Sequence, residues 1–345
     1  MPAVYNGYVQ FPAYMFISRM FLRPFVTPGH ERRMPVNYEG QICRAPMERG
    51  AFMLPVMVGC SYNACKFCNL FKHLAYRELP LSEVEAECAR VKKAGGAPKR
   101  IFLGDGSAFT FSSERLLEII SLVRRYFPGV EMINMDATVT SILEKTDAEL
   151  RSLHDAGVLH LYLGIETGLD DVLRFMNKDH TLEEAYEAVG RLQEAGLIFD
   201  AHIMTGVAGA GRGAENAEAL AGFFNRTHPA HVCNFSLFLQ KRVPLGRDIR
   251  EGRFVPATEL DNLVEDRLLV SLIDTGADHP VKYDSFHDYI HCRVRGTLPE
   301  DRERMLSALD RLIEEESREK PRYADVFGEC PALFDSVTGR YIWET

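Results

Sequence analysis

From about residue 53 to 240, short apolar runs alternate with amphipathic stretches. The runs at 53–58, 100–103, 130–135, 159–165, 197–204 and 231–238 have the length and the flanking turn residues of buried strands. Between them the apolar period changes to that of a helix. A first helix starts near Leu81, with Ser82 as its expected N-cap, and stops at Gly95-Gly96. A second is capped by Ser112 or Ser113 and runs to Tyr126, before Pro128-Gly129. Thr146-Asp147-Ala148-Glu149 and the Thr-x-x-Glu at Thr181 are capping boxes that open two more, and a fifth helix is expected over 213–227. Six β/α units with short connections require a parallel sheet, and right-handed crossovers curl six such strands toward an incomplete barrel.

The flanks differ. Residues 1–50 are an irregular lead-in with six prolines and many aromatics between Tyr5 and Phe25, suited to packing against one end of the sheet. Residues 241–345 form an extension with two amphipathic helices, at 257–275 and 298–319. The expected organisation is a lead-in (1–50), an α/β core (51–240) and a mostly helical extension that closes the barrel (241–345).

Composition changes this picture little. With 345 residues, 46% hydrophobic and 26% charged, the chain is long enough for a large α/β core. A net charge of -9 argues against a global nucleic-acid or anionic-membrane footprint. The apolar amino terminus is interrupted by Pro2, Asn6, Gln10, Pro12, Arg19 and Arg23, so neither a signal peptide nor a spanning helix is expected there. Eight cysteines in a chain this long are no disulfide framework, and a reducing, cytoplasmic setting is expected.

Three of those cysteines carry the chemistry. Cys60, Cys65 and Cys68 lie in Cys60-Ser61-Tyr62-Asn63-Ala64-Cys65-Lys66-Phe67-Cys68, directly after the first strand and Gly59. That places three thiols at the carboxyl end of a strand, where α/β folds build their sites. Thiolates favour zinc or an iron–sulfur centre. Closed zinc sites take four protein ligands, commonly as two C-x-x-C pairs. Here there is one such pair and a third cysteine, which leaves two options. One is a distant fourth ligand, and the other is a [4Fe–4S] cluster with one iron open to a non-protein ligand.

The run Gly59-Cys60-Ser61-Tyr62-Asn63-Ala64-Cys65-Lys66-Phe67-Cys68-Asn69 resembles the cysteine loop of the radical S-adenosylmethionine (SAM) superfamily. The four-residue first gap is similar to the branch with Elp3- and coproporphyrinogen-oxidase-like cores, as is Arg44-Ala45-Pro46-Met47-Glu48 to a segment upstream of the loop in that branch. The resemblance, over about 50–240, implies a partial (β/α)6 barrel. It also implies that Cys60, Cys65 and Cys68 bind a [4Fe–4S] cluster whose open iron is chelated by SAM, with Phe67 near the adenine. It further implies reductive cleavage of SAM to a 5′-deoxyadenosyl radical that abstracts a hydrogen atom. A reducing partner such as flavodoxin or ferredoxin is then required.

Other strand ends are read the same way. Gly104-Asp105-Gly106 stands where the family has a Gly-Gly-Glu-like element facing the SAM amino group, with Asp in place of the frequent Glu. Gly164-Ile165-Glu166-Thr167-Gly168 is similar to the family's G-I-E-S-G run, and Glu166 is expected at the barrel mouth. Asp136 is a weaker candidate for SAM, and Arg174 or Lys178 is a candidate for the SAM carboxylate. Asp200-Ala201-His202-Ile203-Met204-Thr205-Gly206 is similar to a cobalamin-ligand signature, but its glycine is one residue late and it falls within a strand, so it is read as the fifth strand. His287, Tyr289 and Cys292 are candidate catalytic residues, placed in a loop between the appended helices, with packing or polar satisfaction as the plainer role.

The reading is therefore a radical SAM enzyme, an oxidoreductase or transferase acting on a small molecule. A regulatory or scaffold protein with a structural zinc or redox-sensing Fe–S site is the alternative. An α/β hydrolase ranks last, since the chain has no G-x-S-x-G and no H-E-x-x-H.

Overall fold

A computed structural model describes residues 43–239, 243–287 and 291–324, and the backbone alone at 334–335 and 340–341. The aromatics between Tyr5 and Phe25, together with Asp288, Tyr289, Cys330 and Trp343, lie outside the described residues, and nothing is described of the Cys292 side chain.

The alternation read from the sequence forms as strands and helices. A 3-10 turn at Pro46–Glu48 leads into β1 (Phe52–Pro55), β2 (Met57–Val58) and, after the cysteine loop, β3 (Arg77–Glu78) and α1 (Leu81–Lys93). Then come β4 (Arg100–Gly104), α2 (Ser113–Tyr126), β5 (Met132–Ala137), α3 (Val139–Leu143), α4 (Asp147–Asp155) and β6 (Val158–Glu166). These are followed by α5 (Asp170–Phe175), α6 (Leu182–Glu194), β7 (Ile198–Thr205), α7 (Gly213–Thr227) and β8 (His231–Ser236). The extension holds α8 (Pro244–Arg250), α9 (Glu259–Leu272), β9 (Val281–His287), β10 (His291–Leu298) and α10 (Arg302–Glu316).

Thr146 and Thr181 close the expected capping boxes with Glu149 and Glu184, and Ser112 caps α2 by accepting from the Arg115 amide. Ser82 does not cap α1. The N-cap lies two residues earlier, at Pro80, whose carbonyl accepts from the amides of Glu83 and Val84.

The main sheet has eight strands in the order β1-β4-β5-β6-β7-β8-β9-β10. All neighbours are parallel except the last pair, β9 with β10. It is open, with β1 and β10 at its edges, and forms an incomplete α/β barrel. The expected first strand breaks at Val56. Pro55 has no amide to continue the ladder, and β2 turns away to pair with β3. The short stretch around His287 and Cys292, expected as a loop between helices, instead falls on two antiparallel strands, β9 and β10, that extend the sheet. Val281-Lys282-Tyr283-Asp284-Ser285-Phe286-His287 alternates, and its odd-numbered side chains bury under α9.

Alternation also separates the two faces of the sheet. Ile133, Met135, Leu161, Leu163, Ile165, Phe199, Ala201, Ile203 and Val232 join the large core under the helices. The intervening side chains, Asn134, Asp136, His160, Tyr162, Glu166, Asp200, His202 and Phe235, therefore face the lumen. Asp136, Glu166, His202 and Phe235 keep partial exposure while their neighbours in the core are buried, so the lumen is open at the carboxyl end.

Candidate active site

The cysteine loop is pinned on both sides. The Tyr62 hydroxyl donates to the Asn177 carbonyl (2.6 Å), Asn177 Nδ2 donates to the Ala64 carbonyl (3.1 Å), and the Lys66 amide donates to the Met176 carbonyl (2.9 Å). Lys66 Nζ pairs with Asp248 on α8 (3.0 Å) and lies 4.0 Å from the centre of the Phe175 ring. Asn63 adopts a left-handed conformation (φ 43°), and its amide donates to Cys60 Sγ at 3.4 Å. The loop is thus fixed to the region after β6 and to the extension, with its three thiols free and part-buried.

Gly106 brings the β4 end against this loop. It has φ 148°, and a Cβ there would stand 2.3 Å from the Gly59 carbonyl oxygen. Beside it, Asp105 is 1% exposed and its Oδ1 has no hydrogen-bond partner among the described residues. Burial pushes the Asp105 carboxyl up to about 7, despite the Cys43 amide that bonds it.

Glu166 is aimed by a bulge. The β6–β7 register shifts between Gly164 and Glu166, and Glu166 takes φ 64°. Its Oε1 meets Lys178 Nζ at 3.1 Å. A Cβ on Gly164 would sit 2.4 Å from that oxygen and 3.2 Å from that nitrogen, so the glycine makes room for the pair. Burial opposes the charge on Lys178, but Glu166, Cys65 and Asp179 outweigh it and hold its pKa above the ordinary lysine value. Burial pushes the Cys65 thiol up to about 11, with Lys178 partly offsetting it.

The expected residues are thus distributed as follows. Cys60, Cys65, Cys68, Gly104, Asp105, Gly106 and Glu166 gather at the carboxyl end of the sheet. Phe67 packs half-buried with an apolar cluster that includes Val172, Met176, Val207 and Phe254. Asp136 faces the lumen one strand from Gly104. Arg174 is exposed on α5, and Lys178 is the buried cation instead. His287 is 1% exposed on the face under α9, bonded to Ser236 (2.9 Å), Ser285 (2.8 Å) and Asp266 (3.0 Å), and so is not at the mouth.

Sequence reading missed Cys43, Glu48 and Tyr162. The Cys43 thiol is raised well above its usual value, by burial first and then by Asp136, Cys68, Asp105 and Cys60, which places it among the site's acids and thiols. Glu48, 1% exposed, accepts from Asn134 Nδ2 (2.7 Å) and the Tyr162 hydroxyl (2.5 Å). No spacing rule links residues so far apart in the chain. The proline-rich setting of Glu48 was the one available signal.

Among the described residues no three His, Cys, Asp or Glu side chains already converge as a cation cage. The donor chemistry nevertheless suits an iron–sulfur cluster, with three thiols on one short, pinned loop beside buried polar groups able to meet a further ligand.

Residues 54–221, just under half of the chain, match the model of the Radical SAM superfamily, and the chain carries a radical SAM domain there. Curated relatives include the heme chaperone HemW of Bacillus subtilis (25% identical over 141 residues, 39% of this chain and 37% of that protein). Another is a tRNA-2-methylthio-N(6)-dimethylallyladenosine synthase of Anaeromyxobacter dehalogenans (28% over 170 residues, 47% and 35%). A third is the anaerobic magnesium-protoporphyrin IX monomethyl ester cyclase of Cereibacter sphaeroides (26% over 152 residues, 43% and 24%). The matched segments span less than half the length of these relatives, and one of the three is named as a chaperone. Similar solved structures include methylornithine synthase (19% identity, TM-score 0.47, 64% of this chain and 61% of that one). The archaeal Methanocaldococcus infernus Elp3 is another (13% identity, TM-score 0.49, 78% and 64%).

Proposed function

We propose that this protein is a radical SAM enzyme that abstracts a hydrogen atom from a small-molecule substrate. The observation that carries the reading is the juxtaposition of the pinned three-thiol loop with two buried polar stations, Asp105 and the Glu166–Lys178 pair. When bound, a [4Fe–4S] cluster supplies the electron that cleaves SAM to methionine and a 5′-deoxyadenosyl radical. Cys60, Cys65 and Cys68 hold the iron. Asp105, with an unpartnered buried oxygen, accepts a hydrogen bond from the SAM ammonium. Glu166, held by Lys178, accepts from ribose hydroxyls, and Phe67 lies against the adenine.

Residues 241–345 act as the extension that closes the core (51–240) over this site, with 1–50 as the lead-in. In support, Leu245, Ile249 and Phe254 pack with Phe67 and Phe175 in one apolar cluster. Among the described residues no helix is long and apolar enough to cross a membrane, and we infer a reducing, cytoplasmic setting with flavodoxin or ferredoxin as electron donor.

Cys43 favours a second reading, in which it supplies the fourth thiolate of a closed structural zinc or redox-sensing site. Electron paramagnetic resonance of the anaerobically reconstituted, reduced protein separates the two. A cluster signal that changes on adding SAM is expected. Stoichiometric zinc, with no cluster and no response to SAM, would replace the first reading with the second.

A further inference from the structure

The lumen below the cysteine loop is acidic, and two of its acids are not used by the SAM contacts above. Glu48 reaches in from the 3-10 turn of the lead-in. Its Oε1 is satisfied by Asn134 and Tyr162, but Oε2 is buried with no partner among the described residues. Asp136 stands in register with Tyr162, and its carboxyl makes no hydrogen bond with the described residues. Burial first, and then the Glu48 carboxylate, push Asp136 up to about 7, with no cation pulling it back.

His160 and Asp200 also face the lumen but satisfy each other (2.5 Å), with His160 stacked on Tyr162, and the remaining groups apart from Lys178 are neutral or aromatic. His202 lies 5.8 Å from Tyr162 and 6.1 Å from Phe235, ring centre to ring centre, and its Nε2 is buried without a partner among the described residues. Burial, His231 and Lys178 bring its pKa down to about 4, so it is neutral. Phe102 lies 6.0 Å from Tyr162 on the opposite side. Lys178 is occupied by Glu166. Cys43 feels Asp136, Asp105, Cys68 and Cys60 together, so these acids adjoin the cluster loop.

Two adjacent carboxyl groups, one with a stranded oxygen, among aromatic faces and neutral donors, form a site whose missing element is a cation. A hydroxyl-bearing ligand would fill the hydrogen bonds but leave the charge, whereas an ammonium satisfies both and gains from the rings. We propose that Glu48 and Asp136 form the recognition end of the substrate pocket and bind the ammonium group of a small primary amine. This rests on the radical SAM reading for its meaning, since it names the class of substrate.

The test uses the reconstituted holoprotein, anaerobic and unreduced, saturated with SAM so that the cofactor's own ammonium does not compete. Isothermal titration compares amines with their alcohol isosteres: glucosamine with glucose, 1,4-diaminobutane with 1,4-butanediol, and ethanolamine with ethylene glycol. At least one amine is expected to bind saturably and about tenfold or more tighter than its isostere. Asp136→Asn and Glu48→Gln should abolish that preference. The Asp136 carboxyl makes no hydrogen bond with the described residues, so Asp136→Asn carries the test if Glu48→Gln fails to fold. If no amine exceeds its isostere, or the preference survives Asp136→Asn, the inference is overturned. SAM cleavage without an amine preference would sink only this inference, and amine binding without SAM cleavage would sink the parent reading.

Discussion

Glu166 and Lys178 are paired at 3.1 Å with side chains only 12% and 8% exposed, at the point where β6 bulges toward the cysteine loop. Removing one partner strands the other charge in a poorly solvated place. Lys178→Met is expected to cost about 3–5 kcal/mol in chemical denaturation. The double variant Lys178→Met/Glu166→Gln should recover part of that loss, and strictly additive effects would show that the pair is not coupled.

The contact between Gly106 and Gly59 makes a second prediction. A methyl on Gly106 would meet the Gly59 carbonyl oxygen at 2.3 Å, in a backbone conformation that side chains rarely adopt. Gly106→Ala should lower the melting temperature and reduce iron incorporation. Gly50→Ala, where nothing lies within 4 Å, serves as the control and should match wild type in both.

Stability should fall with rising pH. Burial alone would lower the His287 pKa, but hydrogen bonds to Asp266 and Glu259 dominate and raise it to about 9 from an ordinary 6.5. The folded state therefore binds the proton more tightly than the unfolded one. That contribution is fully present below pH 6.5 and is lost as the pH rises through 9, with a slope of up to about 1.4 kcal/mol per pH unit. Glu265, pushed up to about 8 by burial, has the same sign between its ordinary 4.5 and 8. Denaturation curves from pH 6 to 9 should show the decline, and His287→Gln should flatten it. Unchanged slopes would refute the protonated imidazole.

The thiols give a fourth prediction. Cys60→Ser, Cys65→Ser and Cys68→Ser should each abolish cluster uptake, read as iron and sulfide per chain. Cys43→Ser should keep both. Loss of metal in Cys43→Ser equal to that in the loop variants would favour four-thiolate binding.

What the sequence made legible was whatever is local. The capping boxes at Thr146 and Thr181, the strand–loop order around Cys60 and the bounds of α7 follow from short-range chemistry, and they form as read. The glutamate of Gly164-Ile165-Glu166 was found because its motif is contiguous. Of the two candidate cations Arg174 and Lys178, only Lys178 turns inward, because α5 points Arg174 to solvent, which depends on a helix phase that a six-residue element does not reveal. The β9–β10 hairpin was hidden because its charged positions read as loop until β8 and α9 supply two different faces for it. Glu48, 86 residues from Asn134 and 114 from Tyr162, reaches its partners only through the fold.

The most direct test of the central claim is the amount of 5′-deoxyadenosine formed when the anaerobically reconstituted protein is mixed with SAM and dithionite. The account predicts formation by the wild type without added substrate, and none by Cys65→Ala. Intact SAM with a fully loaded cluster, or equal product from Cys65→Ala, would contradict it.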